Sequence, residues 1–256
     1  MITEEQIECF DREGGVTIDT PLTSQEISAA CAAMDRLLPQ VGSNPRASLT
    51  CSYFDAEIVH IIEHPFFEEV AKRVLKADRV SFYQTAIINA YPEPNTPFSF
   101  WQHVDIQYRL SDFQATPQNI VCSFFLWLTD VNERRAPMMF RPGSHLLIAE
   151  YREKDPHWEG DPPRVAGVSE AKLPDLPYAE PIPLLAKAGQ VSVLTTAAVH
   201  GASTNVDNEL RRNLVITFTA EGVTIGLPPR EEEQRLAYNR TLLPHLRPDR
   251  RHILPL

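Results

Sequence analysis

Within the run Phe98-Ser99-Phe100-Trp101-Gln102-His103-Val104-Asp105-Ile106-Gln107-Tyr108, an imidazole and a carboxylate stand two positions apart. The run is rich in aromatic and β-branched residues, follows a turn-rich segment (Pro92, Pro94, Asn95, Pro97) and reads as a strand. Side chains alternate faces along a strand, so His103 and Asp105 project the same way. Such a pair can grip one side of a metal ion and leave the other side open. His-x-Asp alone arises by chance in many sequences. It gains weight only where a third ligand and an anchor for a co-substrate stand in reach.

The chain has eight histidines from which that ligand can be drawn. His60 and His64 fall in helical sequence, His157 in an irregular stretch, and His245 and His252 in the C-terminal tail. His145, in Arg141-Pro142-Gly143-Ser144-His145, follows a strand and stays a candidate, although Ser144-His145 reads better as a pair that pins a turn. His200 is better placed. It ends the run Gln190–Val199, which carries the chain across a sheet, and it precedes the turn-forming Gly201-Ala202-Ser203-Thr204-Asn205. Two histidines and a carboxylate on one face of an octahedral metal suit a non-haem Fe(II) oxygenase. Its oxidising power comes from a second molecule, commonly 2-oxoglutarate, whose far carboxylate needs a buried cation. The planar fork of arginine supplies two parallel charge-assisted hydrogen bonds and stays protonated when buried. Arg211, one hairpin beyond His200, meets that need, while Arg212 points the other way and reads as a surface residue.

The elements that must position these residues divide the chain in two. Thr3-Glu4-Glu5-Gln6 and Thr23-Ser24-Gln25-Glu26 both have capping-box spacing and open helices, separated by Gly14-Gly15 and a short strand at Val16-Thr17-Ile18. A third helix is expected from about Pro65 to Lys76. From residue 80 the texture becomes β: Val80–Tyr91, the run containing His103, Asn119–Leu128, Met138–Phe140, Gln190–Thr195 and Asn213–Ala220. The expected organisation is one domain over 1–256. It comprises a mainly helical part (1–79), a β core (80–220) with a long Pro-rich loop at 151–183, and a C-terminal extension (221–256). That loop reads slightly better as a substrate cover than as a tolerated insertion. The Arg/Pro-rich tail around Arg247–His252 reads as a solvated end.

Composition narrows the partners. A net charge of −10 argues against a nucleic-acid or acidic-membrane surface. No apolar run is long enough to span a bilayer, no signal peptide is visible, and no glycine-rich phosphate loop follows a strand. Cys9, Cys31, Cys51 and Cys122 are scattered, as expected of reduced thiols in a cytoplasm. The expected partner is a small molecule, and nothing in the chain distinguishes a monomer from a homodimer.

Four features together make the sequence resemble the phytanoyl-CoA dioxygenase family of Fe(II)/2-oxoglutarate oxygenases. They are the N-terminal Gln6–Val16 helix–glycine–strand pattern, the His103/Asp105 pair, the Pro142-Gly143-Ser144-His145 turn after Pro137–Phe140, and His200-Gly201 with Asn205 and Arg211. The resemblance implies a mainly β fold with flanking helices, a double-stranded β-helix (jelly-roll, cupin-like) with the N-terminal helices packed on one side. It implies iron on His103, Asp105 and His200, the 2-oxoglutarate 5-carboxylate on Arg211, and O₂ as the oxidant. It further implies that Asn89 contacts 2-oxoglutarate and that Gln84 faces substrate. Trp101 is a candidate to stack on substrate. Where many relatives have Ser after His-Gly, this chain has Ala202, so the hydroxyl partner of the 5-carboxylate either passes to Ser203 or is missing. Where relatives commonly have Gly-Pro or Gly-Cys, it reads Arg135-Ala136-Pro137. The activity implied is oxidation, by default hydroxylation, of a small-molecule C–H bond, with secondary metabolism as the expected setting and succinate and CO₂ as co-products. The alternatives are a cupin-like isomerase or lyase that makes no use of 2-oxoglutarate, and a non-catalytic binding protein on the same scaffold.

Overall fold

A computed structural model describes residues 1–40, 44–154, 168–169, 173–223, 225 and 229–255. α1 (Glu4–Glu13) is capped reciprocally. The Thr3 hydroxyl accepts from the Gln6 amide, and the Gln6 side chain accepts from the Thr3 amide. Gly14, at φ 85°, ends it and turns the chain into β1 (Gly15–Asp19). Thr23 and Glu26 form the same box on α2 (Ser24–Leu37), which buries Ile27, Ala30, Ala33 and Met34. Two elements absent from the sequence reading follow, β2 (Arg46–Thr50) and α3 (Ala56–Ile62). α4 (Pro65–Val74) stops just short of Lys76, which takes φ 53°.

The β region contains β3 (Val80–Ala90), β4 (His103–Val104), a short α5 (Leu110–Gln114), β5 (Val121–Trp127) and β6 (Met138–Phe140). It continues with α6 (Ser144–Glu153), β7 (Val168–Ser169), β8 (Ile182–Leu184), β9 (Gln190–Leu194), β10 (His200–Gly201) and β11 (Arg211–Ala220). Two expectations are corrected here. The strand read across Phe98–Tyr108 is only two residues long, with a single bridge at Phe100 ahead of it. The run ending at His200 is not continuous: β9 stops at Leu194, the chain turns over Thr196–Ala198, and His200 opens a strand of the other sheet. Of the loop expected at 151–183, residues 155–167 and 170–172, including His157 and Trp158, lie outside the described residues.

All strand pairs are antiparallel. One sheet runs β1-β9-β5-β11-β3-β2, and the other runs β7-β4-β10-β6-β8. Phe125, Trp127, Leu194 and Val215 of the first sheet pack with Phe140 of the second, so the two sheets face each other as a jelly roll. The alternate residues Ile87, Phe124, Leu126, Ile216 and Phe218 face away and join Phe66, Phe67 and Val70 of α4 in a second, larger core. The helices therefore lie on one side, as expected. Register fixes which residues look inward: Arg211 pairs with Ala90, Asn213 with Ile88, and Thr217 with both Gln84 and Ser123.

The C-terminal part begins with α7 (Pro229–Leu242). The basic tail beyond it is not a solvated end. Arg250 is buried and pairs with Glu68 of α4 at 2.6 Å, and Arg247 pairs with Glu63 at 3.0 Å. Arg212 is not free either, since it pairs with Asp35 of α2 at 2.6 Å. No helix among the described residues is long and apolar enough to cross a membrane.

Candidate active site

His103 and His200 are direct partners across the β4–β10 pair, and their ring centroids lie 4.5 Å apart. Asp105 follows just past β4. Its amide donates to the Thr196 carbonyl at 2.9 Å, which fixes the carboxylate beside the two rings. Asp105 Oδ1 lies 3.0 Å from His103 Nε2, and Oδ2 lies 3.8 Å from His200 Nε2. One donor atom from each residue falls within 4.8 Å of the others, the one such group among the described residues. The three candidate ligands thus converge, while His145 stands elsewhere. Buried at the start of α6, His145 packs against Phe113 and the Asp11 carbonyl.

The local chemistry suits a metal. His200 is buried and its Nδ1–H donates to the Ala198 carbonyl at 2.8 Å, so the Nε2 lone pair faces Asp105. Burial also lowers the His200 pKa, against the pull of Asp105, which favours the neutral, ligating form. For Asp105, burial works against ionisation. The hydrogen bond from His103 is the largest of the effects that outweigh it, and its pKa is lowered. His103 is held by Trp101, stacked on it at 4.5 Å and 24°. A nitrogen, nitrogen, oxygen donor set with an open cavity beside it is the facial arrangement that Fe(II) takes.

That cavity, of about 210 Å³, contains the triad, Gln84, Ser123, Phe125, Asn213 and Arg211. Arg211 is buried, its guanidinium lies 5.5 Å from the Trp127 ring, and its Nε has no hydrogen-bond partner. Burial, with the neighbouring charge of Arg46, pulls its pKa down to about 9, so it is a cation at neutral pH. Among the described residues no acid pairs with it, and a buried guanidinium left so is a costly arrangement that an incoming carboxylate relieves. The residues therefore fit both an iron ion and a dicarboxylate co-substrate. A larger surface groove of about 840 Å³ around Asp130, Arg135 and Lys187 does not include the triad.

Of the remaining expected site residues, Gln84 and Trp101 line the cavity. Asn89 does not, and the expectation for it is corrected. It alternates with Ile88, shares the outward face with Ile87 and Arg212, and is fully buried with neither side-chain polar atom partnered. Ser203 is corrected as well: its hydroxyl donates to the Pro137 carbonyl at 2.6 Å and borders a neighbouring chamber. Pro137 follows Ala136, which takes φ 43° at the position where the family commonly has glycine, so the tight turn is kept without it. The sequence reading left open which face of β5 is inward, and it is the face of Ser123 and Phe125. It missed Arg46 and Asn213 on the cavity wall, for which strand alternation was the one available signal.

A family model described as phytanoyl-CoA dioxygenase matches residues 10–213. The chain belongs to the phytanoyl-CoA dioxygenase family. It is accordingly an Fe(II)/2-oxoglutarate-dependent dioxygenase, with O₂ as oxidant. It is 23% identical to an ectoine dioxygenase of Bordetella parapertussis over 262 residues, covering 90% of this chain and 81% of the relative. Similar folds are found in the epimerase SnoN in complex with Fe3+, alpha ketoglutarate and nogalamycin RO (TM-score 0.64, 19% identity, 88% of this chain and 87% of that one). The apo form of EctD from S. alaskensis is also similar (TM-score 0.60, 16% identity, 89% and 80%).

Proposed function

We propose that this family member oxidises a C–H bond of a small-molecule substrate, hydroxylating it by default, and converts 2-oxoglutarate to succinate and CO₂. One arrangement carries the reading. His103, Asp105 and His200 converge on a single point, and Arg211, buried and paired with no acid among the described residues, stands in the same cavity. Iron(II), bound there together with 2-oxoglutarate and O₂, would supply the oxidising chemistry.

The chain's own part is positioning. His200 presents Nε2 because the Ala198 carbonyl holds its other nitrogen, and Asp105 is tethered through Thr196. Arg211 would take the remote carboxylate of 2-oxoglutarate as a bidentate pair and so orient the molecule toward the triad. Phe125, Ile88 and Val215 keep the space between largely apolar and restrict water. Gln84, Ser123 and Thr217 line the cavity several residues along the strands from Arg211, roughly 20 Å at strand rise, and offer hydrogen bonds to a substrate. A place in secondary metabolism is supported by the likeness to SnoN, an enzyme of nogalamycin biosynthesis.

Succinate formation tests the reading. Wild-type protein with Fe(II), 2-oxoglutarate and O₂ should release succinate slowly without substrate, and His103→Ala and His200→Ala should abolish it. Undiminished succinate formation in either variant would refute the assignment.

A further inference from the structure

The strands that carry the histidines are too short to hold themselves. β4 and β10 meet over one residue pair, His103 with His200, and so brief a pairing is marginal on backbone hydrogen bonds alone. Arg141, which the proposed chemistry leaves unused, ties the two together from the side away from the cavity. It follows β6 directly. Its amide donates to the Val199 carbonyl at 2.9 Å, and its carbonyl accepts from the Ser144 hydroxyl at 2.7 Å. That hydroxyl in turn accepts from the Val199 amide at 2.7 Å. Both backbone groups of Val199, the residue before His200, are therefore held by Arg141 and its turn. The side chain reaches the other strand. Its Nε–H donates at 2.8 Å to Oε1 of Gln102, the buried residue before His103. Nη1 donates to the Ala179 carbonyl at 2.9 Å, and the guanidinium lies 5.9 Å from the Tyr178 ring.

One residue thus fixes the neighbour of each histidine ligand. Gln102 and His103 project to opposite faces of the strand, so anchoring the Gln102 amide resists the rotation that would swing the His103 ring. Trp101 stacks on that ring from the other side. Around Arg141 the outer face is apolar. Val104, Ile148 and Val199 pack together there, with Leu173, Leu176 and Tyr178 against them. Residues 173–179 therefore back the two strands, and Arg141 joins this segment to them. A guanidinium suits the place because its rigid fork donates in two fixed directions, to Gln102 and to Ala179 at once. We propose that Arg141 is a positioning residue for the metal: through Gln102 and Val199 it sets the separation and orientation of His103 and His200. The proposal rests on the placement of iron on these histidines given above. Its sign is distinctive. A cation behind the site of a dication repels it, so charge alone predicts that removing Arg141 tightens Fe(II), whereas positioning predicts that it weakens Fe(II).

The test is anaerobic equilibrium dialysis of the full-length apo-protein against Fe(II), without 2-oxoglutarate. It compares the wild type with Arg141→Met, Gln102→Leu and the double variant. Arg247→Ala is the control, since it loses the ion pair to Glu63 on the helical side and destabilises the fold away from the ligand strands. Arg141→Met and Gln102→Leu should each weaken Fe(II) by about tenfold or more, the size typical of a lost support behind a metal ligand. The double variant should be no more than about twofold worse than Arg141→Met, because both changes cut the same bond. Arg247→Ala should stay within about twofold of the wild type. Unchanged or tighter Fe(II) binding in Arg141→Met would overturn the proposal, as would losses that multiply in the double variant. An equal loss in Arg247→Ala would also overturn it and reduce Arg141 to a contributor to general stability. If Arg141→Met does not fold, Gln102→Leu decides, and wild-type iron affinity there would sink the idea. A wild type that binds no iron would mean that the metal reading itself has failed, and this proposal falls with it.

Discussion

Ser203 and Arg211 separate two roles that the family resemblance joined. The Ser203 hydroxyl is committed to the Pro137 carbonyl inside the structure, whereas Arg211 is a buried cation with which no acid pairs among the described residues. Ser203→Ala should therefore cost about 1 kcal/mol in a urea denaturation, the worth of one buried hydrogen bond, and leave the 2-oxoglutarate dissociation constant within about twofold. A tenfold weakening of 2-oxoglutarate binding would mean that the hydroxyl turns toward the carboxylate after all. The residues legible from sequence were those whose chemistry is rare at their spacing, namely His103, Asp105, His200 and Arg211. Asn89 and Arg46 were misjudged or missed for one physical reason. Whether a strand residue looks inward depends on register, and a shift of one position exchanges every side chain between faces.

At the scale of elements, the ligands sit on two of the shortest strands. β4 and β10 have two residues each, yet their pairing sets His103 directly opposite His200. The close approach depends on Gly201, where a Cβ would stand 1.8 Å from the Trp101 carbonyl oxygen. That neighbour is backbone and cannot rotate away, so Gly201→Ala must push the strands apart. We expect a stability loss of about 2–3 kcal/mol by denaturation and at least a tenfold weaker Fe(II) affinity by titration. Unchanged iron binding would show that the pair tolerates separation. The aromatic run around His103 reads as a strand from composition alone because composition reports extended, half-buried backbone and not whether a partner strand lies alongside. The five-residue β2 and seven-residue α3 were too short for their periodicity to stand out. The long, strongly patterned β3, β5 and β11 were legible nearly to their ends.

Across the whole molecule, the C-terminal segment returns to the N-terminal helices through charge. Glu68, buried on α4, meets Lys72, His252 and Arg250. Burial alone would raise its pKa, but these three partners outweigh it and hold the carboxyl at about 2, below the ordinary 4.5. A carboxyl depressed in this way stabilises the fold fully above the unfolded-state value and loses that contribution as pH falls toward 2. Between pH 5 and pH 2 the wild type should therefore lose about 2–3 kcal/mol more stability than Glu68→Gln, measured by denaturant unfolding at each pH. Parallel acid profiles for the two proteins would contradict this. The clamp was misread as a solvated tail because Glu63 and Glu68 lie almost two hundred residues before their partners, and sequence spacing gives no sign of so distant a pairing.

The central claim is that one cavity joins an iron triad to a carboxylate anchor, and an anaerobic titration addresses it most directly. Purified apo-protein would be given Fe(II) and then 2-oxoglutarate while the weak visible band of the chelate is followed, with His200→Ala and Arg211→Gln alongside. The account predicts a saturable band in the wild type, none in His200→Ala, and a shift to at least tenfold higher 2-oxoglutarate in Arg211→Gln. A wild type that binds iron yet forms no band, or an Arg211→Gln protein that titrates like it, would contradict the account.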